Sequence, residues 1–505
     1  MEIRDRSRIK GLLWLMIFAL AFTMSTAVPA YVFGLPQNPV VKEGEATIEQ
    51  TDTSMDIHCN TDKVVIDWQN FSIPENTQVN FHQLAATSQA LNNVIGGQMS
   101  MISGILIANG QIFIVNPAGV YFAPTARVDV AGLVASTLNI ATEDFLNDTF
   151  KFYTADPTKL AEIINKGNLT AVDGGFITLL GHAVKNQGTI VSTLGKVALA
   201  SGEAITLDID GQGLIMVKVD ESIKSQVTDL EGNPIDDAIF NTGELKADGG
   251  EVVVKVAAEN GIFNNLVNNT GIMQADKIVE KDGKIKIVSS GRVDMGGLME
   301  ATNIEVDSHG ATYHGTISSE TGYFHAHSGD TDISGSYAGD KSFSDDVNIT
   351  VVGDLTVTEG SLTIIADANY DGTGVFTQNS GTTISTVTSG DVIIHSGEVP
   401  TVRDITSAEN IEIYTDSSSV ISPTGTLTIG APNGTTVRNK ILARNCERNA
   451  TSHLINEADV IRNDEAEAHT LFVYPSGTLN VSYTNIHAAI NSVCLLYTSD
   501  AADEE

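Results

Sequence analysis

Four histidines that stand close together in the sequence are the residues whose spacing first indicates chemistry. They are His309, His314, His325 and His327, and the last two form a His-x-His pair. Imidazole nitrogens are common ligands of zinc, so a cluster of this kind is one pattern from which a metal site is built. The surrounding segment, however, is rich in Ser, Gly and Thr and alternates like a strand, which turns alternate side chains outward. We therefore interpret the four as solvated surface histidines and expect no metal ion and no cofactor.

The acidic residues give no specific catalytic motif. Asp208, Asp210 and Gly211 resemble the start of a calcium loop, but Val219 stands where the twelfth-place glutamate is needed. We therefore predict a turn between strands there instead of an EF-hand. The sequence contains no Gly-x-Ser-x-Gly elbow and no P-loop. Paired carboxylates that cleave a polysaccharide stay open as an alternative, because a repeat enzyme places them on adjacent turns, where spacing does not reveal them. We expect no catalytic residues.

Charge and cysteine usage narrow the classes of function. The 505 residues include 63 acidic and 28 basic side chains, for a net charge of −35. Sequence-independent binding of nucleic acid and docking on anionic lipid both need a basic surface, so the composition argues against both. Cys59, Cys446 and Cys494 are far apart and form no C-x-x-C pair, which indicates neither a zinc site nor a disulfide framework.

The N-terminus has the composition of a secretory signal peptide. Four basic residues lie within the first ten, and residues 12–22 form an unbroken apolar run. Small residues suited to cleavage follow at 28–30, so we expect the mature chain to begin near Tyr31. An apolar run of eleven residues is too short to span a bilayer, which argues against the alternative of a membrane anchor.

From Val64 onward the chain reads as short strands separated by glycine. Apolar positions alternate with period two, and glycine (45 residues) far outnumbers proline (12 residues). A unit of Gly-x-apolar-x-Ala type recurs, with weaker copies further along. The unit starts at Gly104, Gly167, Gly188, Gly243, Gly271, Gly291, Gly353 and Gly425. Gly167 and Gly188 are 21 residues apart, and Gly271 and Gly291 are 20 apart.

A repeat of about twenty residues with two or three short strands predicts an all-β solenoid, the parallel β-helix. One turn cannot bury its apolar face alone, but stacked turns form a continuous core. We expect small and β-branched residues inside, because the bore is narrow. A β-sandwich is the competing fold, and the recurring glycine unit favours the solenoid over it. The open first turn needs a cap, which we assign to residues 37–83, including Trp68, and residues 157–166 are predicted as a short helix.

Six segments in family order resemble the two-partner-secretion (haemagglutination activity) domain of the filamentous haemagglutinin family. They are residues 64–73, 79–81, 90–97, 102–113, 115–122 and 130–137. The resemblance weakens towards residue 219. The most specific piece is Asn116-Pro117-Ala118-Gly119, where the family usually has Asn-Pro-Asn-Gly. Ala123 also departs from the family, which often has glycine there, but Pro117 and Gly119 are expected to preserve the turn.

The resemblance implies a fold, a route and a partner. The fold is a right-handed parallel β-helix with an N-terminal cap. The route is Sec export followed by recognition by the periplasmic modules of a dedicated outer-membrane barrel, through which the chain threads to the surface. The residues implied in transporter recognition are Asn116, Pro117, Gly119 and Asn92. A tight turn with no recognition role is the alternative for Asn116 and Pro117, and we expect Trp68 to lie in the core.

These observations divide the chain into five expected regions. They are a signal peptide (1–30), a two-partner-secretion domain (31–260), a β-helix repeat region (261–435), an irregular stretch or further module (436–493) and a terminal sequence artefact (494–505). If the last region is an artefact, we expect the natural chain to continue beyond it. The function expected is that of a secreted or surface adhesin whose receptor or glycan the sequence does not identify. A β-helix polysaccharide lyase and a toxin-delivery exoprotein remain alternatives.

Overall fold

A computed structural model describes residues 34–210, 213–229, 231–369, 371–398, 400–408 and 411–415, and the backbone of five strands beyond residue 425. The predicted signal peptide, Cys446, Cys494 and the predicted artefact at 494–505 lie outside the described residues. Among the helices that the structure does describe, none is long and apolar enough to cross a membrane.

Most strands stack in three columns, which we call sheets 1, 2 and 3. The chain passes through them in that order in each turn, and strands of the same sheet on successive turns pair in parallel. Sheet 1 contains Ser54–Cys59, Gln78–His82, Ile105–Ala108, Thr189–Val191, Glu244–Lys246, Ile272–Ala275, Leu298–Ala301, Thr383–Thr386, Asp404–Ser407 and Thr426–Ile429.

Sheet 2 contains Lys63–Trp68, Gln89–Val94, Gln111–Val115, Lys196–Ser201, Glu251–Val256, Lys284–Ser289, Asn303–Ser308, Leu362–Ala366, Val392–Ser396, Ile411–Thr415 and Ile441–Ala443. Sheet 3 contains Ser100–Ile102, Val120–Phe122, Glu162–Asn165, Ala183–Asn186, Asp237–Asn241, Asn265–Asn269, Val293–Met295, Ala311–Tyr313 and Phe376–Gln378.

Five longer strands run through a corner and belong to more than one sheet: Arg127–Ser136, Asn168–Gly181, Thr316–Ala326, Thr331–Asp345 and Ile349–Val357. Three antiparallel strands complete the described C-terminal part: Ala458–Arg462, Leu471–Pro475 and Leu479–Ser482. The predicted parallel β-helix is thus confirmed.

Two antiparallel strands cap the N-terminal end of the helix. Val40–Glu43 pairs with Lys63–Trp68, and Ala46–Gln50 pairs with Ser54–Cys59. Parallel pairing starts at Ser54, so the cap is confirmed but is shorter than the predicted 37–83. An open first turn would expose a row of unpaired backbone N–H and C=O groups. The two antiparallel strands form hydrogen bonds with these groups.

Four asparagines form a ladder inside the helix, at the ends of consecutive strands of sheet 3. Asn165 donates Nδ2 to Oδ1 of Asn186 over 2.8 Å, and Asn186 donates in the same way to Asn241 over 2.8 Å. Asn241 continues to Asn269 over 2.7 Å. All four side chains are fully buried. Because a buried amide without a partner is costly, the ladder fixes the register of one turn on the next.

A glycine follows each of these asparagines by two residues, at the corner between sheets 3 and 1. A Cβ on Gly188 would lie 2.2 Å from the carbonyl oxygen of Gly167, and one on Gly243 would lie 2.1 Å from that of Gly188. Only glycine therefore permits the backbones to approach this closely. The column continues through Gly271 to Gly297. The prediction that Gly291 starts a repeat is wrong, because Gly297 occupies the corresponding corner.

The interior contains larger side chains than the sequence led us to expect. Large aromatic side chains are buried along the core: Trp68, Phe71, Phe81, Phe122, Tyr313, Phe324, Tyr337, Phe343 and Phe376. Trp68 lies in the core as predicted. Tyr313, Phe324 and Phe343 pack against one another with ring centroids 4.7–5.3 Å apart. The expectation of only small and β-branched inward residues is therefore wrong.

A four-stranded antiparallel sheet, here called the covering sheet, lies outside the helix. Its strands are Asn139–Ile140, Phe150–Tyr153, Ala204–Asp210 and Gly213–Glu221. The last two pair antiparallel with Asp210 opposite Gly213, so Asp208 and Asp210 of the predicted turn lie in a strand, and Gly211 lies outside the described residues. Helix α1, Thr142–Leu146, lies between the first two strands. The helix predicted at 157–166 is wrong, since Glu162–Asn165 is a strand of sheet 3.

The covering sheet encloses a second hydrophobic core against the outer face of sheet 2. Phe113 projects outward from sheet 2 and packs on Phe145 and Phe150, with ring centroids 5.2 and 5.4 Å away. Lys63 closes the end of α1, because its Nζ donates to the carbonyl oxygens of Phe145 (2.8 Å) and Leu146 (3.0 Å). A cation is stabilised at that end by the exposed carbonyls.

The asparagine ladder gives a test of the fold. Asn241→Ala leaves the Nδ2 of Asn186 and the Oδ1 of Asn269 short of a partner inside the core, so we expect it to lower the free energy of unfolding by about 2–4 kcal/mol. Asn264→Ala is the matched control. Asn264 also joins two turns, through a 3.0 Å bond to Asp236, but it is exposed.

The control should change stability by less than about 0.5 kcal/mol. Urea unfolding followed by circular dichroism measures both variants. Equal midpoints for the two variants would contradict a structural role for the ladder.

Candidate functional site

A cleft of about 730 Å³ opens where the chain passes from sheet 2 to sheet 3 near the capped end. Four segments and Asn139 line it; the segments are residues 93–99, the turn Asn116–Gly119, residues 157–162 and residues 226–229. Three of the four residues that the resemblance implied in transporter recognition therefore share one surface: Asn116, Pro117 and Gly119.

Asn116 shapes the turn from within. Its Oδ1 accepts a hydrogen bond from the backbone N–H of Ala118 (2.9 Å), which is an Asx turn. Its Nδ2 donates to the carbonyl oxygen of Gln98 (2.8 Å) and to Oγ of Ser100 (3.0 Å). The side chain is fully buried, so it holds the 95–99 loop and the turn in one arrangement.

The exposed part of the turn is Pro117 and Ala118, both half-buried. Gly119 has φ +112°, and a Cβ there would lie 3.3 Å from the carbonyl oxygen of Glu162. Gly119 is thus required by its backbone conformation and by the close approach of the next turn. The hydrogen bonds of Asn116 are those of a tight turn, and Pro117 and Ala118 are the residues of this turn that solvent reaches.

Asn92 is not at the surface, which corrects its place among the predicted recognition residues. It is fully buried, and its Oδ1 accepts a 3.0 Å hydrogen bond from Nε1 of Trp68. Its Nδ2 donates to the carbonyl oxygen of Phe113. Side chains alternate along a strand, so its neighbour Asn93, and not Asn92, lines the cleft.

The cleft combines apolar surface with a few charges. Ile95 is 60% exposed, unusually high for an isoleucine, and lines the cleft beside Met99. Burial raises the pKa of the Glu162 carboxyl above its ordinary value. Hydrogen bonds from Asn233 hold the pKa of Asp229 below its ordinary value. A cleft of this kind suits contact with a polypeptide.

His182 connects the cleft to the covering sheet. Nδ1 accepts a hydrogen bond from the backbone N–H of Ala161 (3.3 Å), and Nε2 lies 2.8 Å from Oγ1 of Thr154. Thr154 in turn donates to the carbonyl oxygen of Glu203 (2.9 Å). Because His182 is almost fully buried, its pKa is lowered to about 4.

The four histidines singled out in the sequence do not share one environment. His314 pairs alone with Asp294 at 2.7 Å on the surface. His325 and His327 lie with ring centroids 4.3 Å apart, close to Asp346. The side chain of His325 is only 16% exposed, so the prediction of a solvated surface histidine is wrong there. Burial and the neighbouring His327 lower the pKa of His325.

Among the described cysteines, Cys59 is a buried free thiol, and burial raises its pKa to about 11. A thiol in that state is a poor nucleophile and a poor ligand.

Residues 33–306 match the family described as the TPS secretion domain. A heme/hemopexin-binding protein of Haemophilus influenzae strain Rd is 31% identical over 270 residues, which are 52% of this chain and 28% of that protein. A second heme/hemopexin-binding protein of Haemophilus influenzae is 29% identical over 297 residues, 54% of this chain and 30% of its own length. The chain thus spans under a third of these relatives.

Among solved structures, the HMW1 secretion domain of Haemophilus influenzae is similar, with a TM-score of 0.50 and 23% identity. That likeness covers 76% of this chain and 95% of the other and supports the fold.

The buried His182 predicts a pH dependence of stability. Its pKa is about 4 in the folded chain and 6.5 ordinarily, so the unfolded chain takes up the proton first as pH falls. The stability is therefore complete above pH 6.5 and declines as pH falls to about 4, by up to about 3 kcal/mol. His182→Gln should remove this part of the decline, while His314→Gln should retain it. Thermal unfolding between pH 7 and pH 4 measures it, and an undiminished decline in His182→Gln would contradict the assignment.

Proposed function

The chain belongs to the TPS secretion domain family, and from this premise we propose that it is an exoprotein exported by two-partner secretion. In this proposal a dedicated outer-membrane transporter barrel recognises the N-terminal domain and passes the chain to the cell surface. The observation that carries the proposal is the family match over residues 33–306, which coincides with the capped end of a continuous β-helix.

The route begins with Sec export directed by residues 1–30, whose composition supports a signal peptide. Passage through a barrel requires an unfolded chain, so in this proposal the turns that follow the recognised N-terminal domain fold at the surface. The architecture supports folding in one direction, because each turn pairs with the turn before it and the antiparallel cap supplies the first template. Repeats that contact only their neighbours fold by adding to an existing end.

The recognition surface in this proposal is the cleft, contacted by periplasmic modules of the barrel. Pro117, Ala118 and Ile95 supply its exposed apolar contacts, whereas Asn116 and Gly119 hold the shape of the turn. Asn92 supports them from the interior, through its bond to Trp68. Apolar groups exposed beside a structured turn are a common basis of protein recognition.

After export, the chain has a role at the cell surface. The matched relatives are named for heme and hemopexin binding, but this chain spans under a third of their length. We therefore propose adhesion as the surface role of this chain and leave heme and hemopexin binding to those relatives. The match of residues 33–306 to the TPS secretion domain favours export over the polysaccharide lyase.

Secretion of the full chain, with and without a cognate barrel in the outer membrane, tests the route. We expect the chain in the medium only when the barrel is present. Periplasmic retention in both cases would contradict the proposal and return the lyase alternative, which a polyuronate cleavage assay examines.

A second comparison tests the cleft. Ile95→Asp places a charge at an apolar contact, and we expect secretion to fall about tenfold or more, since burying an unpaired charge in an interface costs several kcal/mol. Ile107→Asp is the matched control, because Ile107 is also an exposed isoleucine (43%) but lies in sheet 1 outside the cleft. Equal secretion of the two variants would exclude the cleft as the recognition surface.

A further inference from the structure

The register of sheet 2 aligns polar side chains from three successive turns. Asp307, His325 and Ser344 occupy corresponding positions on three turns. His327 donates its backbone N–H to the carbonyl oxygen of Ser308, and Asp346 donates its own to that of Ala326, which extends the ladder past the strand ends. His327 and Asp346 therefore face outward side by side, beside His325.

The ligand atoms of this group converge. Nε2 of His325 lies 3.8 Å from Oδ1 of Asp346, and Nδ1 of His327 lies 3.7 Å from Oδ2 of the same carboxylate. One ligand atom from each residue lies within 4.8 Å of the other two. Bonds of about 2.0–2.2 Å place the ligand atoms of a tetrahedral zinc site about 3.3 Å apart. Small side-chain rotations therefore suffice to close the site around an ion.

The outer nitrogen of each imidazole is already held by a hydrogen bond. Nε2 of His327 lies 2.8 Å from Oδ1 of Asp307, and Nδ1 of His325 lies 2.8 Å from Oγ of Ser344. Because a carboxylate only accepts, the His327 proton resides on Nε2 and the Nδ1 lone pair faces Asp346. Oγ of Ser344 donates to the carbonyl oxygen of Phe324 (3.4 Å), so it accepts from Nδ1 of His325 and leaves Nε2 unprotonated.

Outer-shell bonds of this kind are typical of metal-binding histidines, whose second nitrogen donates to a carboxylate or another acceptor. In a simple surface ion pair, each imidazole would direct an N–H group at the carboxylate. Here both rings direct an unprotonated nitrogen at Asp346 instead. Two imidazoles with one carboxylate also select a first-row transition ion over calcium or magnesium, which prefer oxygen ligands.

We propose that His325, His327 and Asp346 bind a Zn²⁺ ion through Nε2, Nδ1 and a carboxylate oxygen, with Asp307 and Ser344 orienting the two imidazoles. The side chains of His327 and Asp307 are 41% and 44% exposed, so the ion is open to solvent on one side. Water or a donor from another molecule completes the coordination. The ion joins the turn of His325 and His327 to the turn of Asp346 and thereby stabilises the folded chain.

The experiment uses the mature full-length chain, freed of metal by a chelator and titrated with Zn²⁺ by calorimetry. Co²⁺ then serves as an optical probe of coordination geometry. We expect one equivalent of Zn²⁺, visible absorption bands of four-coordinate Co²⁺, and a higher melting temperature with Zn²⁺. Absence of saturable uptake would overturn the proposal.

Variants locate the ion. His327→Gln and Asp346→Asn should each abolish the Co²⁺ bands, and Asp307→Asn should weaken Zn²⁺ binding about 10- to 100-fold, as loss of an outer-shell partner does. His314→Gln is the matched control, since His314 also pairs with an aspartate in sheet 3 but without a second imidazole, and it should bind as the wild type does. Circular dichroism without metal verifies that each variant is folded.

His58 and His82 provide a competing location. Their rings stack at 4.5 Å, and His82 lies 3.0 Å from Asp56. Loss of binding in His82→Gln together with unchanged binding in His327→Gln would place the ion there and overturn the proposal.

Discussion

From Gly188 to Gly315, successive turns of the helix bring their backbones into close contact at the corner between sheets 3 and 1, and that close approach constrains the structure around it. A side chain at Gly188 or Gly243 would collide with the carbonyl oxygen one turn below. The asparagines two residues earlier donate to one another inside the core, so an error of register would break these hydrogen bonds. Glycine permits the close approach of the two backbones, and asparagine determines the register between the turns. Because each turn is continuous, this register also aligns the strands of sheets 1 and 2.

The N-terminal half differs from the rest because sheet 2 is buried on both faces there. The strand Gln111–Val115 is buried at every position, whereas Lys284–Ser289 alternates between half-buried and buried residues. The covering sheet and α1 account for the difference, and Lys63 ties them to the first turn. The cleft lies beside this reinforced region, so the turn at Asn116 is held in place by its surroundings as well as by its own hydrogen bonds.

The sequence predicted the parts of this architecture that repeat locally. Glycine spacing and period-two alternation indicated the solenoid, and the need to close its first turn indicated the cap. The covering sheet was missed, although runs such as Gln111–Val115 and residues 196–200 carry a signal, since consecutive apolar residues indicate a strand buried on both faces. Residues 157–166 lack that signal, and their sequence predicts a helix where the structure has a strand. Gly291 was misplaced because the turn that ends at Gly297 is longer than the one assumed.

In the candidate sites, too, the sequence predicted local features and missed those that depend on contacts between turns. The turn at Asn116 is local, so its residues could be named from the sequence, but the burial of Asn92 depends on Trp68 one turn away. The group of His325, His327 and Asp346 was hidden for a related reason. Asp346 is distant in sequence, and only the register of stacked turns brings it next to the histidines. Sequence spacing identifies residues that are close within one turn. A site on a solenoid, in contrast, combines side chains from different turns.

The stacking direction also determines how the molecule responds to force. Backbone hydrogen bonds between turns run along the helix axis, so tension along that axis loads the turns in series and the weakest exposed turn separates first. Adjacent turns are about 4.8 Å apart along the axis. A turn such as Gly167 to Gly188 contains 21 residues, which extend to about 70 Å when released. The release of one turn therefore adds many times more length than the helix loses. Under tension the molecule would extend in steps, one turn at a time.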